Sequence, residues 1–199
     1  MAHNVPVTSA LSLGGLLCAA VALAGQYHGT VVDADTGQPL AAAAVVVAWS
    51  KRPIVHFDGG ESFHSVREAV TDAAGRFAVP DSPGIDWNPT TAVRPADILV
   101  YKPGYQALAP GVLIDRGFRS MKEVRQHLKR GGVIRLPKLT PEQDRVGSKQ
   151  RGLILHIDDF RLAIRLPPEG VPALVRLTNV ERRRFGLEPV REGRAGGSP

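Results

Sequence analysis

The stretch Gly29-Thr-Val-Val-Asp33-Ala-Asp-Thr-Gly37-Gln-Pro-Leu40, followed by Ala41-Ala-Ala-Ala-Val45-Val-Val-Ala-Trp49, decides the fold class. Val31 and Val32 are the β-branched centre of a strand running from Tyr27 to Asp33. Asp35 to Pro39 then reads as a tight turn: an Asp carboxylate accepts from backbone N–H groups just downstream, and Gly37 tolerates positive φ. The run from Ala41 to Trp49 barely alternates, which is the pattern of a strand covered on both faces. Its alanines alone would suit a helix, but the three valines and the preceding turn favour a strand.

Working outward, Ser50–Ser65 reads as a long polar loop centred on Gly59-Gly60. Val66–Thr71 and Arg76–Val79 read as a hairpin closed by the type I turn Asp72-Ala-Ala-Gly75. Asp81–Ala96 carries three prolines and reads as a second loop. Asp97–Lys102 is a fifth strand, Pro103-Gly104 its turn, and Ala107–Leu113 a candidate sixth. Ser120-Met-Lys-Glu123 is a capping box opening a helix with Met121, Val124 and Leu128 on one face, stopped by Gly131-Gly132. Val133–Leu136 is the last strand. After Leu139 the pattern changes. Thr140-Pro-Glu-Gln143 starts a helix weakened at Gly147 and Gly152, and Leu153–Leu166 suits helix and strand equally. Pro172–Phe185 is expected to be a helix burying Leu174, Leu177 and Val180, closed by Gly186, with a disordered tail at 188–199. No internal repeat is present.

Of 199 residues, 21 are Gly and 16 Pro, which favours short strands and turns, and aromatics at 6% leave the core to aliphatic side chains. The net charge of +6 is unevenly spread: residues 27–114 hold six basic and nine acidic side chains, residues 115–199 hold nineteen and ten. Leu11–Ala24 is an apolar run too short for the ~20 residues of a membrane span, and Ala22-Leu23-Ala24 fits a signal-peptidase site. Met1–Ala10 lacks the usual Lys or Arg. The expected layout is a signal peptide at 1–24, a β-sandwich at 27–139, a basic, mainly helical extension at 140–187 and a tail at 188–199. The protein is expected to be exported to the periplasm or beyond, with no transmembrane segment in the mature chain. Cys18, the only cysteine, falls inside the signal, so the mature chain would have no disulfide, thiolate metal site or cysteine nucleophile. A lipid anchor at Cys18 is the alternative, disfavoured by the bulky Leu17 before it.

The frame Gly29-x-Val-x-Asp-x-x-Thr-Gly-x-Pro-Leu, a Val-rich strand, Thr71-Asp-x-x-Gly-x-Phe and Tyr101-Lys-x-Gly-Tyr105 resembles the carboxypeptidase regulatory-like domain over about Tyr27–Leu139. The resemblance implies a mainly β fold: a seven-stranded antiparallel transthyretin-like (prealbumin-like) sandwich, here with a C-terminal helical extension. It also implies an exported bacterial protein, and a module that accompanies catalytic or receptor domains rather than a peptidase. The related 5-hydroxyisourate hydrolases open with a similar strand and turn. They place a His where Thr30 stands and end in Tyr-Arg-Gly-Ser, where this chain ends Gly-Gly-Ser-Pro.

Two sets of side chains carry candidate chemistry. His56, Asp58, Glu61 and His64 share the first loop, and two imidazoles with two carboxylates can hold zinc or act as acid and base. Against this, a Gly-Gly loop sets no ligand spacing. Trp49, Trp87, Tyr101 and Tyr105 could form a peptide- or sugar-binding face, although aromatics more often pack in the cores of small sandwiches. Arg182-Arg-Arg184 reads as a solvated helix face; no interleaved aromatics point to nucleic acid. No His-Glu-x-x-His, Gly-x-Ser-x-Gly, phosphate loop or cysteine pair occurs. The expectation is therefore an exported, non-catalytic envelope module without a cofactor, binding a protein, peptide or glycan between the Ser50–Ser65 and Asp81–Ala96 loops. A small metal-dependent or transthyretin-related hydrolase using the His56–His64 loop is the alternative.

Overall fold

The computed structural model describes residues 25–54, 60–114, 117–142 and 166–190. Residues 1–24 with Cys18, the loop residues His56 and Asp58, the segment 143–165 and most of the tail lie outside them. The described chain is mainly β, in two sheets. One has the order β4-β1-β7, from Gln26–Asp33 (β1), Arg76–Pro80 (β4) and Val133–Leu136 (β7). The other centres on Ala44–Pro53 (β2), with Ser62–Val70 (β3) on one side. Thr91–Val93 (β5) and Asp97–Tyr101 (β6) follow one another along the opposite side of β2.

Three differences from the sequence reading have local causes. Strand β2 runs on to Pro53 and β3 begins at Ser62, so the expected Ser50–Ser65 loop is mostly strand at both ends. Within Asp81–Ala96, the three residues of β5 pair with Lys51–Pro53, because extending β2 offers them a free edge. Ala107–Leu113 is not a strand: Leu108 makes one bridge to Val100, and Pro110–Val112 turns into a short 3₁₀ helix, since Pro110 cannot donate to a ladder. The pairing is also not all antiparallel. Strand β7 lies parallel to β1, from Thr30↔Val133 to Asp33↔Leu136. The chain reaches it from the other sheet through helix α1 (Met121–Lys129) instead of a hairpin.

Helix α1 starts as the capping box predicts: Ser120 accepts from the Glu123 N–H, and the Glu123 carboxylate accepts from the Arg119 N–H. Its Val124 and Leu128 enter the core between the sheets beside Val31, Val45, Val47 and Ile98. Gly29 marks the closest approach, because a Cβ there would stand 2.2 Å from the Gly132 carbonyl oxygen.

Strand β2 is buried on both faces. Val45, Val47 and Trp49 face the inter-sheet core, while Ala44, Val46 and Ala48 join Leu99 and Tyr101 under helix α2 (Pro172–Arg184). Small residues on that face let the helix sit close. Val171, Leu174 and Val175 fill the interface, and two carboxylates fasten it. Glu68 of β3 accepts from the Ala173 and Leu174 N–H groups at 2.8 and 2.7 Å, capping the helix from across the interface. Glu181, 1% exposed, accepts from the Tyr101 hydroxyl and from the Gly104 N–H. Val180, expected inside, is 51% exposed. The inward stripe instead holds Thr178 and Glu181, polar residues whose hydrogen bonds are met there. Phe185 and Gly186 end the helix, as the sequence pattern implies.

Two outcomes are expected. Leu174→Ala should cost about 2–5 kcal/mol in denaturant unfolding, the range for a buried leucine that leaves a cavity. Glu68→Ala should cost roughly 1 kcal/mol, as for loss of a helix cap, while the exposed Glu169→Ala changes little.

Candidate functional site

The motif residues of the resemblance are used for structure. The Asp33 side chain, 2% exposed, accepts from the Asp35 and Thr36 N–H groups at 2.9 and 3.0 Å. Its other oxygen accepts from the Tyr105 hydroxyl at 3.0 Å and lies 3.3 Å from Lys138 Nζ. The Thr36 N–H first, then the other donors, hold the Asp33 carboxyl far below the usual carboxylate range against the opposing effect of burial. Thr71 donates to the Leu40 carbonyl and accepts from the Ala43 N–H, pinning a turn in which Ala42 has φ of 56°. Gly75, at φ +72°, sits where a Cβ would meet the Val31 oxygen at 2.4 Å. Lys102 Nζ donates to the Ala41 carbonyl at 2.7 Å.

The four aromatic candidates do not share a face. Trp49 is buried in the inter-sheet core and Tyr101 under α2, Tyr105 is spent on Asp33, and Trp87 is 86% exposed on the 81–90 loop. Burial, reinforced by Glu181, pushes the Tyr101 phenol well above its ordinary range. Of the candidate metal ligands, His56 and Asp58 are outside the described residues. Glu61 accepts from Ser50 at 3.3 Å and pairs with Arg94 at 3.7 Å. The register passes from Trp49↔Ser65 to Ser50↔Phe63, so His64 is the extra residue of a β-bulge. Its buried Nε2 has no hydrogen-bond partner. Among the described residues no three His, Cys, Asp or Glu side chains gather as a metal site.

A concave feature with an apolar wall lies elsewhere. A cleft of about 410 Å³ opens between α1 and the junction of β5 with β6. Tyr27 and Trp49, both 2% exposed, back it, and Pro83, Val93 and Pro95 give it an apolar wall. Lys122, Arg125 and Lys129 face it from α1 and Arg94 from the strand junction, with Asp81 as the only lining carboxylate. Most of these cations are held in position. Arg125 donates to the Ala96 carbonyl at 2.7 Å. Lys129 lies 2.6 Å from Asp81 and 5.5 Å from the Tyr27 ring centre. Burial, then the Asp81 carboxylate, push the Tyr27 phenol above its usual value.

From the sequence, a cleft is expected between the Ser50–Ser65 and Asp81–Ala96 segments. This one draws Asp81, Pro83 and Val93–Ala96 from the second segment, and its other wall is helix α1. The helix that supplies it was visible only as packing. Its signal is the spacing Lys122, Arg125 and Lys129, one polar stripe beside the apolar Met121–Val124–Leu128 stripe. Comparison with family models, curated proteins and solved structures finds no match to the chain. No helix among the described residues is long and apolar enough to cross a membrane.

The depressed Asp33 carboxyl stabilises the fold at any pH above its unfolded value, near 4, and that contribution fades as pH falls toward the folded value. Asp33→Asn should therefore be less stable than the parent by a constant margin at neutral pH. The margin should narrow below about pH 4, as read from denaturant midpoints across a pH series.

Proposed function

We propose that this chain is an exported, non-catalytic module of the bacterial envelope, of the carboxypeptidase regulatory-like, transthyretin-like type, that binds a protein, peptide or glycan at the α1 cleft. The family reading is supported by the mutual use of its motif residues, with Asp33 of the first segment accepting from Tyr105 of the last. The binding reading rests on the cleft itself, a concave site with an apolar wall and several fixed cations. Its lining offers no His, Ser, Thr or Cys, and its one carboxylate is engaged by Lys129. Such a lining suits recognition better than nucleophilic or metal-assisted hydrolysis. Export rests on the apolar Leu11–Ala24 run and its Ala22-Leu23-Ala24 end.

Two measurements check this. Mass spectrometry of the chain expressed in a Gram-negative host should find a mature N-terminus at Gly25. Metal analysis of the purified protein should find no stoichiometric zinc. Stoichiometric zinc that disappears in a His56→Ala, His64→Ala double variant would overturn the binding-module reading in favour of the hydrolase.

A further inference from the structure

We infer that the α1 cleft takes an extended acidic peptide, its carboxylates on the cation stripe of α1 and its intervening side chains on the apolar wall. The inference rests on the binding reading above and names its ligand class. Four cations and Asp81 line this cleft. Glu61 pairs with Arg94 from beside it, Asp97 acts on Arg94 and Arg125, and Asp81 pairs with Lys129, so the excess positive charge is centred on Lys122 of the α1 stripe. Two of them are spatially fixed by partners that leave donors available. The Ala96 carbonyl occupies one Arg125 nitrogen and carries no compensating charge. Lys129 is set between Asp81 and the Tyr27 ring. Preorganised cations spare an anionic ligand the cost of ordering them.

The spacing separates a peptide from a single phosphate. At 1.5 Å per residue, Lys122, Arg125 and Lys129 are spread over about 10 Å of helix. Arg125 is held on the Ala96 carbonyl and Lys129 on Asp81, a line of separately anchored cations that fits an extended chain better than one tetrahedral ion. Alternate side chains of an extended chain stand about 7 Å apart on one side, a repeat that lysine and arginine stems can meet along the stripe. The other alternate positions of such a chain fall toward Pro83, Val93 and Pro95, which a bare oxyanion would leave unused. An acidic glycan is less well served. Sugar rings pack on exposed aromatic faces, whereas Tyr27 and Trp49 at the back of the cleft are each 2% exposed.

Isothermal titration of the full chain tests this with four probes: a blocked peptide alternating Glu and Val, its Gln-Val twin, inorganic phosphate and an oligogalacturonate. The acidic peptide should bind, at least about tenfold more tightly than the Gln-Val twin, and should weaken as salt screens the cleft. Lys122→Glu should reduce that binding by about tenfold or more. Lys122 is exposed, so the thermal midpoint of the variant should be that of the parent. Lys129→Gln, which removes one positive charge and releases Asp81, supplies a second variant that should weaken binding in the same direction. Equal binding of the Gln-Val twin, lost in Lys122→Glu, would overturn the acidic ligand while leaving a peptide-binding cleft. Displacement of the peptide by equimolar phosphate, or tighter binding of the oligogalacturonate, would overturn the peptide. Absence of binding in every arm, or acidic binding indifferent to both variants, would overturn the inference, whereas the zinc measurement decides the underlying reading separately.

Discussion

From Ala44 to Trp49, strand β2 has no side that meets water, and the rest of the molecule is arranged to make this possible. On one face, its valines and Trp49 need the second sheet and the apolar stripe of α1. On the other, Ala44, Val46 and Ala48 need α2. A fully buried valine is worth about 1.5–3 kcal/mol, and Val45, Val46 and Val47, which alternate between the two faces, all gain it only if both layers are present. The C-terminal helix is therefore part of the folded body, a third layer rather than an appendage. Its basic Arg182–Arg184 end lies away from the packed stripe, with Arg183 and Arg184 exposed.

Closing both layers brings backbone ends and turns into dry places, and buried or half-buried carboxylates satisfy them. Glu68 caps α2 from a neighbouring strand, Glu181 receives Tyr101 and Gly104, and Asp33 gathers two N–H groups, a phenol and an ammonium. Each is paid for in desolvation and returned in hydrogen bonds to a charged acceptor, which are among the stronger ones. These ties also explain why the recurrent motif has no chemistry to offer a ligand. Its Thr71, Asp72, Gly75 and Tyr105 are consumed in holding turns. The cleft is left to residues outside the motif, on a helix whose inner stripe is core and whose neighbouring stripe is cationic.

Much of the strand and turn layout was legible because its signals are local. The turn after β1 falls where expected, although Asp33 and not Asp35 supplies the carboxylate that bonds residues two and three positions on. Ser120 caps its own helix, and the unbroken Ala-Val run declares burial on two sides. Candidate sites fared less well. Trp49 and Tyr101 looked alike in sequence, and neighbouring strands hid them in two different cores. Val180 fits the helical period as well as Leu174 does, yet Thr178 and Glu181 take the inner positions because partners wait for them across the interface. Lys122, Arg125 and Lys129 carried a readable spacing, but nothing local says that β5 and β6 will stand opposite.

By itself, then, the chain's sequence determined where most of the strands and turns and the capped helix fall, and that β2 would be covered twice, since steric preference, capping and alternation act within a few residues. Only the tertiary structure decided that β7 would run parallel to β1, that α2 would be the second cover, and that Arg94 and Asp81 would face α1 across a cleft. Those outcomes depend on which distant surfaces exclude water together, a property of pairs of segments that no single segment encodes.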